Sequence, residues 1–345
     1  MTAMPTRNDN RGLALRVPAL GIFTRLVLFT RLGLFTRLGL AAVLSFAAPT
    51  FAEAAEAVIT NQLSDSVSFV DLATDKTIAD VIVGGKPAGI ALSPDRARAY
   101  VTAPDSGELI EIDAVQRTVG RRLKVSGGPL GVAAHPQRPE IYVADWYTHK
   151  IVVVDAATLQ PVAEINVGKS PSGLAVTPDG KWLVSADRDS NQISLVDLAT
   201  RTVAAIVPVG ERPFGVTISP DGKTAYTANV ASNDVSVVDL TTRTLSGTIK
   251  VGARPYAIAF ANGHGFATDQ GIGTISVFDP VTRQTVKQIT ACDHPEGIEE
   301  TADGAFVYVA CWGDNVVLKI DAKALSVVRQ IPVGDGPRAF GKFLR

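Results

Sequence analysis

The stretch RPFGVTISPDGKTAY, residues Arg212–Tyr226, decides the fold because close copies of it return along the chain. The intervals between the copies are 42, 42, 42, 42, 40 and 42 residues. Seven copies at this period predict a closed ring or a solenoid, and the interior of each copy distinguishes the two. The copies are aligned on their prolines, Pro87, Pro129, Pro171, Pro213, Pro255, Pro295 and Pro337.

Each copy contains four short runs rich in valine, isoleucine and threonine. Between Pro213 and Val251 these runs are FGVTIS, TAYTAN, VSVVDL and LSGTIKV, and the turn-forming stretches PDG, VASND and TTRT separate them. Helical periodicity is absent, and the runs are apolar on both faces, as expected for a sheet packed between two neighbours. A four-stranded antiparallel meander of about 40 residues is a propeller blade.

The two chain ends complement each other. The last copy stops after its first strand, PRAFGKFLR at residues 337–345, whereas the chain after its leader begins with a second strand, AEAVITNQ. We therefore predict an all-β fold: one seven-bladed propeller over residues 53–345, closed by pairing of the C-terminal strand with the N-terminal blade. Small residues recur early in the first strands, where space around the axis is short: Gly89, Gly131, Gly173 and Gly215.

The first 52 residues follow different rules. Arginines precede the apolar run LGLAAVLSFAAPTFA, which ends in small residues before the polar stretch EAAEA. This pattern is typical of a signal peptide cleaved after Ala52, although an uncleaved anchor is an alternative. We expect a periplasmic or secreted monomer without a transmembrane anchor in the mature chain. The net charge of −1 gives no strong nucleic-acid signal.

Cys292 and Cys311 are the only cysteines. In an oxidising compartment an even count predicts one disulfide, with two free thiols or a metal site of Cys292, His294 and Cys311 as alternatives. Counting outward from the turn at Asp303 and Gly304 places Cys311 opposite Glu296. The loop before Pro295 must then bend back for a disulfide to form.

The stretches AYVTAPDSGELIEID, AYTANVASNDVSVVDL and IPVGDGPRAFGKFL resemble the YVTN family of β-propeller repeat proteins. The single-domain form is similar to the YncE-like proteins, and the resemblance covers about residues 54–345. It implies a secreted or periplasmic propeller. It supplies no catalytic residues and no cofactor.

The loops divide into two faces. The turn face carries the turns between first and second strands and between third and fourth strands, which are nearly invariant among the copies. The variable face carries the loops between second and third strands and those that lead into each first strand. Binding specificity usually lies on such variable loops of a rigid scaffold.

Cations recur where the variable face meets the first strands. We expect them to ring the channel mouth and to attract an anion; they are Lys86, Arg212, Arg254, His294 and Arg338. The alternative is that they pair with aspartates of adjacent loops; these are Asp145, Asp187, Asp234, Asp269 and Asp314.

Aromatic residues and one divergent copy add further candidates on the same face. Trp146, Tyr147 and Trp312 lie on equivalent loops and either anchor a partner or cover gaps between blades. The sixth copy reads CDHPEGIEETADG and ACWGDN, which places Glu296 beside His294.

The first strands consist mostly of glycine, alanine and aliphatic residues. Their only acids are Glu296, Glu299 and Glu300, all from one copy, so we predict no catalytic residues and no metal cage. The favoured function is an exported, non-enzymatic binding or scaffold protein that recognises a small anion, a glycan or an envelope protein. One alternative is a metal-assisted hydrolase or lyase at the channel mouth that uses Glu296 and His294. Another is an accessory to an envelope or redox system.

Overall fold

The computed structural model describes residues 55–125 and 127–345, so the expected leader lies outside the described residues. The described chain forms seven sheets around one axis, which confirms the predicted propeller. Blade 7 contains β1 (Glu56–Asn61), β2 (Ser66–Asp71) and β3 (Lys76–Ile82). Blade 1 contains β4 (Gly89–Leu92), β5 (Arg98–Ala103), β6 (Glu108–Asp113) and β7 (Thr118–Lys124).

The next five blades repeat this pattern. Blade 2 contains β8 (Pro129–Ala134), β9 (Glu140–Asp145), β10 (Lys150–Asp155) and β11 (Gln160–Asn166). Blade 3 contains β12 (Pro171–Val176), β13 (Trp182–Asp187), β14 (Gln192–Asp197) and β15 (Thr202–Pro208), with a short 3₁₀ helix at Arg188–Ser190. Blade 4 contains β16 (Pro213–Ile218), β17 (Thr224–Asn229), β18 (Asp234–Asp239) and β19 (Thr244–Lys250). Blade 5 contains β20 (Pro255–Ala261), β21 (His264–Asp269), β22 (Thr274–Asp279) and β23 (Gln284–Thr290). Blade 6 contains β24 (Pro295–Glu300), β25 (Phe306–Cys311), β26 (Val316–Asp321) and β27 (Ser326–Pro332).

The hydrophobic cores lie between neighbouring blades. Val184 and Ile193 of blade 3, for example, pack in one cluster with Val216 and Val238 of blade 4. The second and third strands are almost wholly buried, whereas a fourth strand such as β23 is largely exposed. Apolar residues on both faces of the inner strands therefore stabilise the stack of blades, as the sequence pattern predicted.

Close approach of the first strands explains the recurring glycines. A Cβ on Gly131 would lie 1.8 Å from the carbonyl oxygen of Ser172 in the next blade. One on Gly89 would lie 2.1 Å from the carbonyl oxygen of Leu130. The prediction of crowding is confirmed, and the obstacle is the backbone of the adjacent first strand.

The C-terminal segment closes the ring. Val58 donates its N–H to the carbonyl oxygen of Phe343 and Arg345 donates to that of Glu56, both at 2.8 Å. Just before these contacts the chain forms β28 (Phe340–Gly341), which pairs in parallel with β4 of blade 1. The closing segment therefore pairs with strands of two blades, β1 of blade 7 and β4 of blade 1, one more than the sequence predicted.

Candidate functional sites at the two ends of the channel

Three aromatic rings fill the channel at the variable face. Phe214 and Tyr256 each follow a repeat proline, and Phe340 lies in β28; the ring centroids are 4.5, 4.9 and 5.3 Å apart. Tyr256 is 4% exposed and Phe340 is 5% exposed. We call these three side chains the aromatic plug, because their rings pack against one another at this end of the channel. Sequence reasoning missed it.

A buried ion pair lies against the plug. Arg338 Nε donates to Glu296 Oε2 at 2.7 Å, and Arg338 Nη2 donates to Tyr256 Oη at 2.7 Å. Gln270 Nε2 donates to Glu296 Oε1 at 2.8 Å. Burial opposes the charge on Arg338, but Tyr256 and Glu296 outweigh it and raise the pKa of the guanidinium. The structure thus brings two predicted ligand-binding residues together, and they neutralise each other.

The other predicted cations have an unusual backbone conformation. Lys86, Arg212, Arg254 and His294 have φ values of 58°, 56°, 54° and 52°, in the left-handed region. The N–H of Arg212 donates to Asn191 Oδ1 of the preceding blade at 2.9 Å, and equivalent bonds hold Lys86 and Arg254. These bonds tie adjacent loops together and leave the side chains of Arg212 and Arg254 exposed.

These cations differ in their side-chain partners. Lys86 Nζ lies 3.6 Å from Asp65 Oδ2, and His294 Nδ1 lies 2.5 Å from Asp293 Oδ1. Among the described residues, no carboxylate lies within ion-pair distance of Arg212 or Arg254. Arg254 and His294 line one groove of about 550 Å³ between blades 5 and 6. The structure therefore brings these two predicted residues to one site.

The predicted pairing of these cations with five aspartates is wrong. Asp187 instead accepts the hydroxyls of Ser185 and Ser194 at 2.7 and 2.5 Å, and the N–H of Gly168 at 2.9 Å. Burial raises the pKa of Asp187, and it raises that of Asp269 to about 6. The remaining aspartates contact Thr148 (Asp145), Lys250 (Asp234) and the N–H of Asp293 (Asp314).

Cys292 and Cys311 form a disulfide, with their α-carbons 5.9 Å apart. This confirms the predicted bond and removes both thiols from the alternative metal site with His294. Cys311 lies opposite Pro295 and not Glu296, because the strand register shifts between Pro295 and Ile298. Counting residues around the hairpin was therefore wrong by one position.

The disulfide replaces a hydrogen-bonded contact of the other blades. In blade 3, Gly168 stands at the position of Cys292 and Asp187 at that of Cys311. A Cβ on Gly168 would lie 2.6 Å from the Cβ of Asp187, so these two positions are in contact. Aligning the copies at the glycine shows that the two cysteines occupy these equivalent positions, and the contact in blade 3 explains why they lie side by side.

The two tryptophans of the variable face bridge between blades. Trp146 lies 6.4 Å from the ring of Phe214, and the Arg188 guanidinium lies 5.4 Å from the Trp146 ring. Trp312 Nε1 donates to Gln62 Oε1 of blade 7 at 3.2 Å. Both are half-buried, which matches the gap-covering interpretation, whereas Tyr147 is 69% exposed.

The opposite end of the channel is open. A cavity of about 300 Å³ runs between the first strands toward the turn face. There it meets a wider depression of about 870 Å³, and Leu92 and Lys342 line both. Sequence reasoning missed this space because it placed binding specificity on the loops of the variable face.

A carboxylate pair lies at this opening. Lys342 Nζ lies 3.5 Å from Glu299 Oε1 and 3.3 Å from Glu300 Oε1. The second oxygen of Glu299 accepts the N–H groups of Phe343 and Leu344. Burial raises the pKa of Glu299, although Lys342 acts in the opposite sense. In the described residues, no group of three or more His, Cys, Asp or Glu side chains is placed to hold a metal ion.

The family model described as a YNCE-like beta-propeller matches residues 32–343, so the chain belongs to that family. No curated protein matches. In the described part of the chain, no helix has the length and apolar character needed to cross a bilayer.

Solved structures share the fold. The chain is similar to the hydrazine synthase of Kuenenia stuttgartiensis, with a TM-score of 0.71, 20% identity, and coverage of 76% of this chain and 91% of that one. A functionally unknown protein of Desulfotomaculum acetoxidans DSM 771 has a TM-score of 0.71 at 15% identity, over 82% of this chain and 98% of that one. Dihydro-heme d1 dehydrogenase NirN, in complex with DHE, has a TM-score of 0.63 at 15% identity, over 82% of this chain and 74% of that one. At these identities the likeness shows the fold alone.

Proposed function

We propose that the chain is an exported, non-enzymatic propeller that binds an envelope protein through its variable face. The observation that carries this proposal is the contrast between occupied and free charges there. Glu296 is held by Arg338 and Gln270, so it has no free oxygen for acid–base chemistry. Arg212 and Arg254, in contrast, are exposed and have no ion-pair partner among the described residues.

The shape and composition of this face favour a macromolecule. At this face the rings of the aromatic plug pack together, and the loops form a groove between blades 5 and 6. Exposed apolar side chains stand on these loops; Tyr147 is 69% exposed, Ile272 52% and Leu63 49%. Tyrosine and arginine are enriched in protein interfaces, and the free arginines favour an acidic partner surface.

Site-specific photo-crosslinking in cells tests the proposal. A photoreactive residue at Tyr147 or Ile272 should yield the same protein adduct, and one at Val281, which is 86% exposed on the turn face, should not. Arg212→Glu with Arg254→Glu should weaken the adduct at least tenfold. Adducts from Val281 alone, or adducts insensitive to the arginines, would overturn the proposal.

Metal analysis of the purified protein tests the enzymatic alternative. A stoichiometric divalent ion, lost on Glu296→Gln or His294→Ala, would favour the metal-assisted hydrolase or lyase. Without such an ion, and with no turnover, the binding function stands.

Export is the other part of the proposal. The leader pattern of residues 1–52 supports it, and so does the disulfide, because such bonds persist in oxidising compartments. Intact mass measurement of the protein from the periplasm or the medium should give a chain that begins at Glu53. A cytoplasmic, uncleaved chain with free thiols would contradict it.

A further inference from the structure

One turn on the turn face is built differently from its equivalents. In blades 1, 3, 4 and 6 the turn between the first and second strands starts with a serine or threonine, whose hydroxyl donates to an aspartate two residues later. These pairs are Ser93–Asp95, Thr177–Asp179, Ser219–Asp221 and Thr301–Asp303. In blade 2 the same two positions are His135 and Gln137. The turn between β8 and β9 therefore depends on an imidazole in place of a carboxylate.

His135 makes hydrogen bonds that only its neutral form can make together. The residue is 2% exposed, and its Nδ1 accepts the N–H groups of Gln137 and Arg138 at 3.0 and 2.9 Å. Nε2 lies 3.0 Å from the carbonyl oxygen of Gly180 in blade 3, so Nε2 carries the proton and donates to that oxygen. A second proton, on Nδ1, would point at two N–H donors and break both of their bonds.

The charges around His135 also oppose its protonation. Glu140 Oε2 lies 3.3 Å from Arg138 Nη2, and Glu140 Oε1 lies 2.9 Å from Nη2 of Arg201 in blade 3. The ring of Tyr142 lies 6.4 Å from the His135 ring, and its hydroxyl donates to Glu140 at 2.6 Å. Two guanidinium groups thus share one carboxylate here, so the balance of charge beside the imidazole is positive.

Charged side chains of the two neighbouring turns are paired with each other. These pairs are Asp179 with Lys181 at 3.3 Å, on either side of Gly180 in blade 3, and Arg98 with Glu111 at 3.1 Å in blade 1. Asp95 of blade 1 accepts the hydroxyl of Ser93. The neighbouring turns therefore do not offset the positive charge of Arg138 beside the imidazole.

The pKa of His135 reflects these surroundings. Burial lowers it most and the charge of Arg138 lowers it further, whereas the Gly180 carbonyl and Glu140 act in the opposite sense. A freed imidazole has a pKa of about 6.5, so an opened turn takes up a proton more readily than the closed turn. The closed turn therefore loses stability as pH falls below about 6.5. In the four equivalent turns hydrogen bonds lower the pKa of the aspartate, so those turns keep their bonds down to about pH 4.

The bond between His135 and Gly180 joins two turns at the rim of the channel. Pro136 of blade 2 and Thr177 and Pro178 of blade 3 line the cavity of about 300 Å³ between the first strands. A Cβ on Gly180 would lie 2.5 Å from Cε1 of His135, so the two turns are in direct contact. Movement of the His135 ring would therefore loosen the wall of the cavity at its open end.

We propose that His135 is an acid-released clamp between the turns of blades 2 and 3. At neutral pH the uncharged ring holds both turns together. At mildly acidic pH a proton on Nδ1 breaks the bonds from Gln137 and Arg138, and the charged ring leaves its buried position for solvent. The clamp lies on the turn face, so it is independent of partner binding at the variable face.

Hydrogen exchange of the purified protein at about pH 7.5 and pH 5 tests the clamp. Protection factors, which remove the intrinsic pH dependence of exchange, are compared for residues 135–138 of blade 2 and the equivalent residues 219–222 of blade 4. We expect protection of the first turn to fall at least about threefold at the lower pH, with an upper limit of about thirtyfold set by the pKa of a free imidazole. Unchanged protection, or an equal fall in the turn of blade 4, would overturn the proposal.

Two variants separate the clamp from other causes of acid sensitivity. His135→Ser with Gln137→Asp rebuilds the turn of blade 4 and should give equal protection at both pH values. His264→Ser is the matched control, because His264 lies in the equivalent turn of blade 5 and its Nδ1 lies 3.1 Å from a carbonyl oxygen, that of Asn262. This control should keep the pH dependence of the wild type. A fall in protection that persists in the double variant, or that disappears in His264→Ser, would contradict the assignment to His135.

A measurement on the wild type does not depend on any variant. Titration of the His135 ring protons by NMR should give a pKa below about 6.5, and the N–H signals of Gln137 and Arg138 should shift with the same midpoint. A midpoint above about 6.5, or N–H signals that do not follow the ring, would exclude the clamp.

Discussion

Aspartates on the two faces of the propeller have opposite environments. On the variable face Asp187 and Asp269 are buried, and burial raises the pKa of both carboxyl groups. On the turn face Asp221 is exposed and Asp239 is half-buried, and hydrogen bonds from the Ser219 hydroxyl and the Thr242 N–H lower their pKa. Aspartates of the variable face thus accept hydrogen bonds in the protein interior. Those of the turn face accept hydrogen bonds within turns near the solvent.

The ion pairs of the two channel ends differ in the same way. Arg338 and Glu296 are enclosed by Tyr256 and Gln270, whereas Lys342 is largely exposed beside Glu299 and Glu300. The variable-face end of the channel is therefore sealed by internal contacts. The turn-face end keeps a charged group and an apolar cavity accessible.

The largest expected effect separates these two ion pairs. Arg338→Ala leaves Glu296 buried without its cation, which should cost about 3–5 kcal/mol in the free energy of unfolding. Lys342→Ala should cost less, about 1 kcal/mol, because the Lys342 side chain is 58% exposed and buried Glu299 keeps the N–H donors of Phe343 and Leu344. Chemical denaturation of both variants measures the difference, and equal losses would break the contrast between the channel ends.

The disulfide gives the next largest effect. Cys292→Ser with Cys311→Ser opens a 19-residue connection and should cost about 3 kcal/mol. Asn229→Ala removes the hydrogen-bonded equivalent in blade 4, where Asn229 Nδ2 donates to Ser236 Oγ at 2.9 Å, and should cost about 1–2 kcal/mol. Thermal unfolding of the two variants checks the order. A smaller loss for the cysteine pair would mean that the covalent bond adds nothing to this face.

Gly131→Ala tests how closely neighbouring first strands approach each other around the channel. The new methyl group would lie 1.8 Å from the Ser172 carbonyl oxygen, and such overpacking typically costs about 1–3 kcal/mol. Gly127→Ala is the matched control, since the nearest atom there is 3.6 Å away, and it should stay within about 0.5 kcal/mol. If the two variants were equally stable by denaturant titration, the ring would be looser than the structure indicates.

The smallest effect depends on pH. The folded pKa of Asp269 lies near 6, above its unfolded value, so the wild type loses stability as pH rises from about 4 to 6. Asp269→Asn lacks this loss and should gain about 1 kcal/mol relative to the wild type over that interval.

Asp239→Asn should behave in the opposite way. The folded pKa of Asp239 is lowered, so its contribution is present at neutral pH and is lost as pH falls below about 4. Unfolding free energies of wild type and both variants at pH 3, 4, 6 and 7 compare the faces directly. The same pH dependence of the unfolding free energy in both variants would contradict the difference between the two faces.

The sequence repeat predicted most of the fold. The period, the four runs per copy and the complementary ends predicted the blades and the closure, because each depends on local pattern and turn chemistry. The parallel pairing of Phe340 with Gly89 was not predictable, since it depends on how far the closing segment moves away from β1.

The candidate sites were harder to predict. Phe214, Tyr256 and Phe340 come from three first strands, and no sequence pattern says that their rings meet on the axis. Arg338 and Glu296 are 42 residues apart and were counted as separate ligands, although one repeat period places them on adjacent first strands. The disulfide, in contrast, was predicted from the cysteine count, and only the residue opposite Cys311 was wrong, because the strand register shifts between Pro295 and Ile298.

Closure by residues 343–345 has a consequence for folding. Phe343 is fully buried and Arg345 bonds to Glu56, so the hydrogen-bonding edge of β1 stays unpaired until this segment docks. The ring therefore closes through contacts between segments far apart in the sequence, and such contacts form slowly and leave a strand edge exposed in the meantime.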